Sequence, residues 1–576
     1  MRISVIIATF NRCGLLARTL PTVLNQQFPR EQYEVIVVVD GSSDGTSVFL
    51  HGLKTDRNLR IIEQPNRGQA AAINKGLETA AGDLVLFLDD DILCGPTLLT
   101  EHATAERAGN ACLAYGPVLL SPEHADPLAA DWAHSFCNQF FETTVKNAPE
   151  RGWYGCMASA NSSAPRSVLL SVGGLDESYD RGNDREFGLR LLKAGFRFSW
   201  RPGAVVHQIF YKTRSDILKD ASDEGIAEVH LCRKHPEYRA HSRVVTMWSE
   251  KWWKRLAVRV LVQLPVSLEP LLRPLTWSSA RLRTTPQFRR LALGLFAAQQ
   301  SIVAYRGANK EAGGWGSLRR EFGKKLPVLM YHHIGPLRPG ADPFLTISPG
   351  AFERHLRWLL HHGFTTIRTS DWVAYQRDGK PLPEKPVLLT FDDAFSDTAY
   401  YAFPLLQKYR CAGTVFVVTD EIGGANVWDR PLGVSVQPLM TAEEIRHWAS
   451  QGVEIGAHTC THRDLRTSSR EQVIAELKGS RDHLRELLGT PVMSVAYPYG
   501  YLDDSVAEHT REYFDAAFTC DAGLNDLTTD LMHLKRATIV PRYTWLDVRL
   551  CVCFGFNPFL LGRIQLGLLR RRLFRM

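Results

Sequence analysis

No apolar run in the 576-residue sequence reaches the ~18 residues of a membrane-crossing helix, so no transmembrane span is expected. The eleven cysteines are scattered, odd in number and never spaced Cys-x-x-Cys. That pattern argues against a disulfide framework and for a reducing compartment. The opening MRISVIIATF has one Arg but neither the longer apolar region nor the small-residue cleavage site of a signal peptide. It reads as a first strand, and the expected location is the cytoplasm, with the inner membrane face as the peripheral alternative. There is no internal repeat and no low-complexity tract. A formal net charge of +7 is too weak to indicate nucleic-acid binding. Phosphate-rich substrates or an anionic membrane surface account for it equally well.

What is present is ordinary globular material, 45% hydrophobic and 22% charged. The length suits two or three domains. The first part alternates buried strands with helices: VIIATF, EVIVVVD and DLVLFLDDD each run into polar residues. Near-continuous apolar strands between helices indicate an α/β fold with a mostly parallel sheet covered on both faces. Ligands in such sheets bind beyond the carboxyl ends of the strands. Asp40 and the triplet Asp89–Asp91 fall there. From 241 to 325 the character changes to Trp-, Leu- and Arg-rich helical sequence broken by prolines, and then by glycines. This reads as a helical linker, packed on the first domain or lying on a membrane surface. The final FLLGRIQLGLLRRRLFRM has the same basic-apolar mixture. A second strand-helix alternation begins at LPVLMYHHI and continues through PVLLTFDD, GTVFVV, VEIGAHT and SVAYPYG. The expected domains are therefore 1–240, 241–325 and 326–576.

The triplet Asp89–Asp91 follows five apolar residues. Three carboxylates at a strand end are costly unless solvated or neutralised by a cation. Hard divalent ions favour carboxylate oxygens and share them with phosphates. ATFNR ends the first strand and VVDGSSDGT the second; NRGQAAAINKG and GGLDESYDRGNDREFGLRLLKAGF follow in order. Over roughly 1–210 this succession resembles the family-2 glycosyltransferases, which have a GT-A, Rossmann-like nucleotide-binding fold. The resemblance implies that Thr9, Asn11 and Asp40 contact the nucleoside. It implies that Asp89 and Asp91 are the outer acids of a DxD motif, binding the donor through Mg or Mn. Asp184, in NDREF, matches the base that deprotonates the acceptor hydroxyl, and His207, in AVVHQ, matches a late metal-site His. Asn183 stands where an acid is commoner. No QxxRW segment follows, which favours single or few sugar additions over chain extrusion.

In the second half Asp392 and Asp393 follow PVLLTF, and His458-Thr459-Cys460-Thr461-His462 follows VEIG. Two His at i and i+4 can face one direction, and with a carboxylate they make a three-ligand metal site with open positions. This order, with the later PYG, resembles the NodB-like polysaccharide deacetylases, family-4 carbohydrate esterases whose fold is a distorted (β/α) barrel. The resemblance covers about 326–545. It implies Asp393, His458 and His462 as ligands of zinc, with cobalt or nickel sometimes accepted. It implies Asp392 as general base and Tyr499 as the residue whose backbone N–H helps stabilise the oxyanion. The usual late Leu-x-x-His motif is not evident, and Ala496 sits near the place of the usual Arg before Pro-Tyr. A subset of the family opens with a strand ending Tyr-His, which VLMYHHIG matches. His332 is therefore expected as the general acid, with His333 as a confusable neighbour and His533 as a late candidate.

Together these readings imply a bifunctional carbohydrate enzyme. It would transfer a sugar from a nucleotide-sugar, with UDP-N-acetylhexosamine the expected donor, to a glycan or lipid-linked acceptor, and would hydrolyse N-acetyl groups on a glycan. The alternative is that one domain is catalytic and the other a binding module or membrane-recruited scaffold.

Overall fold

Apolar side chains on both faces of each strand are what place the first sheet at the centre of its unit. In β1 (Ile3–Thr9), Ile3, Val5 and Ile7 enter one core, while Ile6 enters the core on the other face. In β2 (Tyr33–Asp40), Tyr33, Val35, Val37 and Val39 join the first and Ile36 and Val38 the second. A strand buried on both faces has no polar alternation, as its sequence shows. These features come from a computed structural model, which describes residues 1–53, 59–107, 112–124, 127–140, 160–263, 286–337, 345–432, 436–541 and 543–557. The final basic-apolar segment and the proline-broken middle of 241–325 lie outside the described residues.

Contacts divide the chain into two units. The first comprises Met1–Tyr238 with Glu250–Trp315, and the second Arg239–Ser249 with Gly316–Met576. The segment 241–325 is thus shared between them.

The first unit holds a seven-stranded sheet. β3 (Leu59–Gln64), β2, β1 and β4 (Leu84–Asp89) run parallel in that order. β8 (Asn161–Pro165) then pairs antiparallel with β4 and with β6 (Cys112–Tyr115), and β9 (Arg197–Trp200) closes the edge beside β6. A small sheet sets β10 (Val206–Phe210) between β5 (Ile92–Cys94) and β7 (Val118–His124). The carboxyl ends of β1, β2 and β4 lie side by side, because their parallel registers pair Thr9 with Val39 and Ala8 with Asp89.

The second unit is a curled parallel sheet. β19 (Ala516–Phe518), β18 (Ser494–Ala496), β17 (Glu454–Ala457), β16 (Thr414–Val417), β15 (Pro386–Phe391), β11 (Val328–Tyr331) and β20 (Ala537–Thr538) follow one another, and β14 (Thr365–Ile367) pairs with β15. A bridge from Phe518 to Leu534, just ahead of β20, brings the two ends of the path together. β12 (His333–Ile334) and β13 (Thr346–Ile347) form a separate pair. The interior is a continuous apolar core including Leu329, Leu389, Phe391, Val415 and Val495. Asp392, His458, His332 and the Tyr497–Tyr499 turn each follow the carboxyl end of a parallel strand. Such a barrel presents its chemistry there.

Two candidate active sites

In the first unit a cavity of about 570 Å³ opens over the ends of β1, β2 and β4. Thr9, Asp40, Asp89, Asp90, Asp91 and Asp184 all line it. The acids are not equivalent. Thr9 Oγ1 donates to Asp90 at 2.8 Å, and the Arg12 guanidinium donates to its other oxygen at 2.8 Å. Arg12 also stands 3.9 Å from Asp91 and 4.6 Å over the Tyr211 ring. The middle acid is thus held by the protein, while Asp89 and Asp91 face the cavity beside it. Burial and the neighbouring Asp90 push the Asp91 carboxyl up to about 6. A buried carboxylate crowded by another gains from a bound cation, so the donor set suits Mg or Mn.

Asp40 accepts the backbone N–H of Arg67 at 2.9 Å and of Gly68 at 2.8 Å. It therefore draws the NRG segment up to the cavity, where Asn66, Gly68 and Gln69 form one wall. That approach needs Gly41: at φ +75, a Cβ there would lie 2.6 Å from the Asn66 nitrogen. Asp184 occupies the first turn of the helix Asn183–Lys193 on the opposite wall. Burial raises its carboxyl above the ordinary range, although Arg185 opposes the shift. Arg185 and Glu186 bind that helix to the helix Arg214–Lys234 and its end, through Glu228 at 2.7 Å and through Lys234 and His235.

Two residues expected at this site lie elsewhere. Asn11, at φ +52, accepts from Ser43 N at 2.7 Å and its own N–H donates to Ser42 Oγ. It clasps two strand-end loops and does not line the cavity. His207 points away from the acids. Alternation along β10 turns it outward and exposed, while Gln208 turns in and donates to both Asp91 oxygens at 3.2 Å. The residue that closes on the acids is Gln208.

In the second unit Asp393 Oδ1 lies 3.5 Å from His458 Nε2 and 3.4 Å from His462 Nε2. These three are the only cluster of this kind among the described residues. All are buried, and Asp393 Oδ1 has no hydrogen-bond partner. Ligands about 2.0–2.2 Å from one tetrahedral zinc stand about 3.3–3.6 Å apart, so the spacing fits. His458 Nδ1 faces the Ala496 carbonyl at 2.7 Å, which leaves Nε2 as the free ligand atom. Burial, with Asp392 and Asp429 near, holds Asp393 well above its usual range, and burial with His458 holds His462 well below its own. Of seven non-glycine residues with positive φ among the described residues, five lie here: Asp393, Ala394, Thr459, His462 and Tyr499. Backbone strain of ~1–3 kcal/mol each gathers at functional sites.

Asp392 is bound by a residue the sequence reading did not assign. Arg536, fully buried ahead of β20, donates Nη1 to Asp392 Oδ1 at 2.6 Å and Nε to the Thr519 carbonyl at 2.8 Å. Its guanidinium lies 5.8 Å from the ring centroids of both Phe416 and Phe518, which pack against each other. Burial would raise Asp392, but Arg536, His458 and His332 outweigh it and hold the carboxyl at about 2. With Ala496 ahead of Pro-Tyr, the guanidinium comes instead from a late segment. An Arg isolated in LKRATIV was the only sign of it.

His332 and His333 separate clearly. His333 stacks on Phe395 with ring centroids 3.6 Å apart and bonds Asp397 at 3.0 Å. Burial pushes His332 down to about 4 while Asp392 pulls it back, which puts its ring in the field of the base. His533 lies half-buried in a short turn, 3.9 Å from Asp530. Tyr499, 42% exposed, sets its ring edge-on to His462, and Trp428 stacks on the other side of that ring at 4.6 Å.

Comparison with known proteins matches Glycosyl transferase family 2 over residues 4–158 and Polysaccharide deacetylase over residues 379–513. The chain joins a family-2 glycosyl transferase domain to a polysaccharide deacetylase domain. Both are enzyme domains of the α/β class, GT-A-like in the first unit and of deacetylase type in the second. The transferase half is 30% identical over 273 residues to validoxylamine A glucosyltransferase of Streptomyces hygroscopicus subsp. jinggangensis (strain 5008), covering 41% of this chain and 61% of that protein. The deacetylase half is 25% identical over 162 residues to poly-beta-1,6-N-acetyl-D-glucosamine N-deacetylase of Staphylococcus aureus (strain MSSA476), covering 28% of this chain and 55% of that protein. The chain thus spans little more than half the length of each. A solved mannosyltransferase from Pyrobaculum calidifontis, in complex with GDP-Man and Mn2+, is 19% identical with a TM-score of 0.39, covering 55% of this chain and 87% of its own. The transferase match ends before Asp184 and Gln208. The deacetylase match includes Asp392, Asp393, His458, His462 and Tyr499 but neither His332 nor Arg536.

Proposed function

We propose that the chain transfers a sugar from a nucleotide-sugar donor, a UDP-N-acetylhexosamine, to a glycan or lipid-linked acceptor, and removes N-acetyl groups from a glycan. Use of a nucleotide-sugar puts the chain in the cytoplasm, and a lipid-linked acceptor would bring it to the inner membrane face. The observation that carries the deacetylase reading is the convergence of Asp393, His458 and His462 beside an ionised, arginine-bound Asp392.

In the transferase site Asp89 and Asp91 would hold Mg or Mn, which when bound offsets the charge of the departing diphosphate. Asp184 takes the proton from the acceptor hydroxyl; its raised pKa makes it a stronger base than an exposed aspartate. Arg12 keeps Asp90 from competing for the cation, and Gln208 orients Asp91. Thr9 steadies Asp90, Asp40 shapes the nucleoside end, and Asn11 braces the loops beside it.

In the deacetylase site Asp393, His458 and His462 would hold zinc, or cobalt or nickel, which polarises the acetamide carbonyl and acidifies water. Asp392, kept ionised by Arg536, receives the water proton. The Tyr499 backbone N–H supports the oxyanion. His332, neutral at rest, hands a proton to the departing nitrogen after gaining one beside Asp392. Trp428 and Tyr499 wall the site and limit water.

The test is product analysis with a panel of UDP-sugars and acceptors, with and without chelator. Sugar transfer that returns with Mn and acetate release that returns with zinc are expected. Undiminished turnover at either site under complete chelation would remove the metal role there.

A further inference from the structure

The helix Trp252–Gln263 turns its apolar side away from the protein. At 100° per residue, Trp252, Leu256, Val260 and Trp253 fall within an arc of about 100°. They are 69, 50, 45 and 52% exposed. The opposite side already serves the fold: Val262 is buried, Val258 and Leu261 are half-buried, and Arg306 of the helix Pro286–Glu311 donates to the Leu261 carbonyl at 2.9 Å. Packing among the described residues of the unit therefore does not account for two outward tryptophans, a leucine and a valine.

Charge says what does. Residues 250–263 contain Lys251, Lys254, Arg255 and Arg259 against one acid, Glu250, which pairs with Lys254 at 2.9 Å. Lys251, Lys254 and Arg259 are exposed. A second copy seated on this face would bring like charges together, which disfavours self-association. An anionic lipid surface satisfies both features, with the apolar side in the acyl boundary and the cations at the phosphates. Tryptophan suits that boundary because its ring is amphipathic. Twelve residues at ~1.5 Å each rise only about 18 Å, so the helix would lie in the surface and not span it. No helix among the described residues is long and apolar enough to cross a membrane.

We propose that this helix docks the chain on an anionic membrane surface through Trp252, Trp253, Leu256 and Val260, with Lys251 and Arg259 contacting lipid phosphates. The inference deepens the membrane placement above and depends on neither chemistry. The test is co-sedimentation of the full chain with vesicles of phosphatidylglycerol and phosphatidylcholine, against phosphatidylcholine alone. Binding to the anionic vesicles, weakened by salt, is expected. Trp252→Glu/Leu256→Glu should abolish it, and Lys251→Gln/Arg259→Gln should lower it about fivefold per charge removed. All four side chains face solvent, so unfolding curves and sugar transfer to a soluble acceptor should match the parent. Loss of vesicle binding with intact catalysis therefore separates this proposal from the enzymatic one. Absence of binding by the parent, parent-level binding by Trp252→Glu/Leu256→Glu, or a dimer that Leu256→Glu dissolves without any lipid affinity would each overturn it.

Discussion

Arg536→Gln should disable the deacetylase through its base. The guanidinium is fully buried and donates to Asp392 at 2.6 Å, and among the described residues no other cationic side chain bonds that carboxylate. Asp392 is held at about 2 against an ordinary 3.8, a difference on the order of a few kcal/mol in favour of the folded, ionised state. Because the folded value is the lower one, this stability is present above the unfolded value and is lost as pH falls through about 2. Removing one member of a buried pair typically costs ~3–5 kcal/mol, since the other is left charged and unpaired. The variant should therefore melt earlier in its second unit, and Asp392 should titrate upward under burial. In a pH series of acetate release from an N-acetylglucosamine oligosaccharide, the acidic limb should move to higher pH. The rate at neutral pH should fall about 10²-fold or more, the range of a general base. Arg536→Lys keeps the charge but not the fork, so it should restore much of the pH profile and only part of the rate. The reasoning fails if folded Arg536→Gln retains the parent's acidic limb and a rate within about twofold, or if folded Arg536→Lys is no better than Gln.

Asp184→Asn should reduce sugar transfer by about 10²-fold or more while donor binding persists; in the parent, activity should fall with decreasing pH at a value above the ordinary aspartate range, because burial raises that carboxyl. Titrating donor binding by calorimetry separates the two effects. His332→Ala should lose about 10²–10⁴ in acetate release with an unchanged melting curve. His333→Ala should instead lower stability by about 1–3 kcal/mol, through the lost Asp397 bond and Phe395 stacking. His207→Ala should leave transfer unchanged, whereas Gln208→Ala should weaken its Mn dependence; the opposite ranking, measured as the Mn concentration for half-maximal rate, would restore His207 to the site.

Strands buried on both faces and ending in acids or histidines announce their own layout. Asp40, Asp89 and Asp91 could be placed at one sheet edge because parallel strands align their carboxyl ends, and the same holds for Asp392, Asp393 and His458. What the chain order hides is side-chain direction and contacts from distant segments. His207 and Gln208 are adjacent, and only the pleat of β10 decides which reaches Asp91. Arg536 lies far along the chain from Asp392, and its pairing exists because β20 folds back beside β11. Asn11 carries a motif position, yet its side chain is spent on Ser43. Arg12 was visible in ATFNR, but its task of holding Asp90 depends on where the helix Cys13–Leu24 begins.

The proposed pairing of the two chemistries, with the transferred sugar itself deacetylated, is tested most directly by mass analysis of products from the full chain supplied with UDP-N-acetylglucosamine, acceptor, Mn and zinc. Holding both sites in one chain raises the effective concentration of the second near the first product. The account predicts a transferred N-acetylhexosamine that then loses its acetyl group, with Asp184→Asn suppressing acetate release and Asp392→Asn leaving the acetylated product to accumulate. Acetate release that proceeds equally in Asp184→Asn, or a transferred sugar that is never deacetylated, would contradict it.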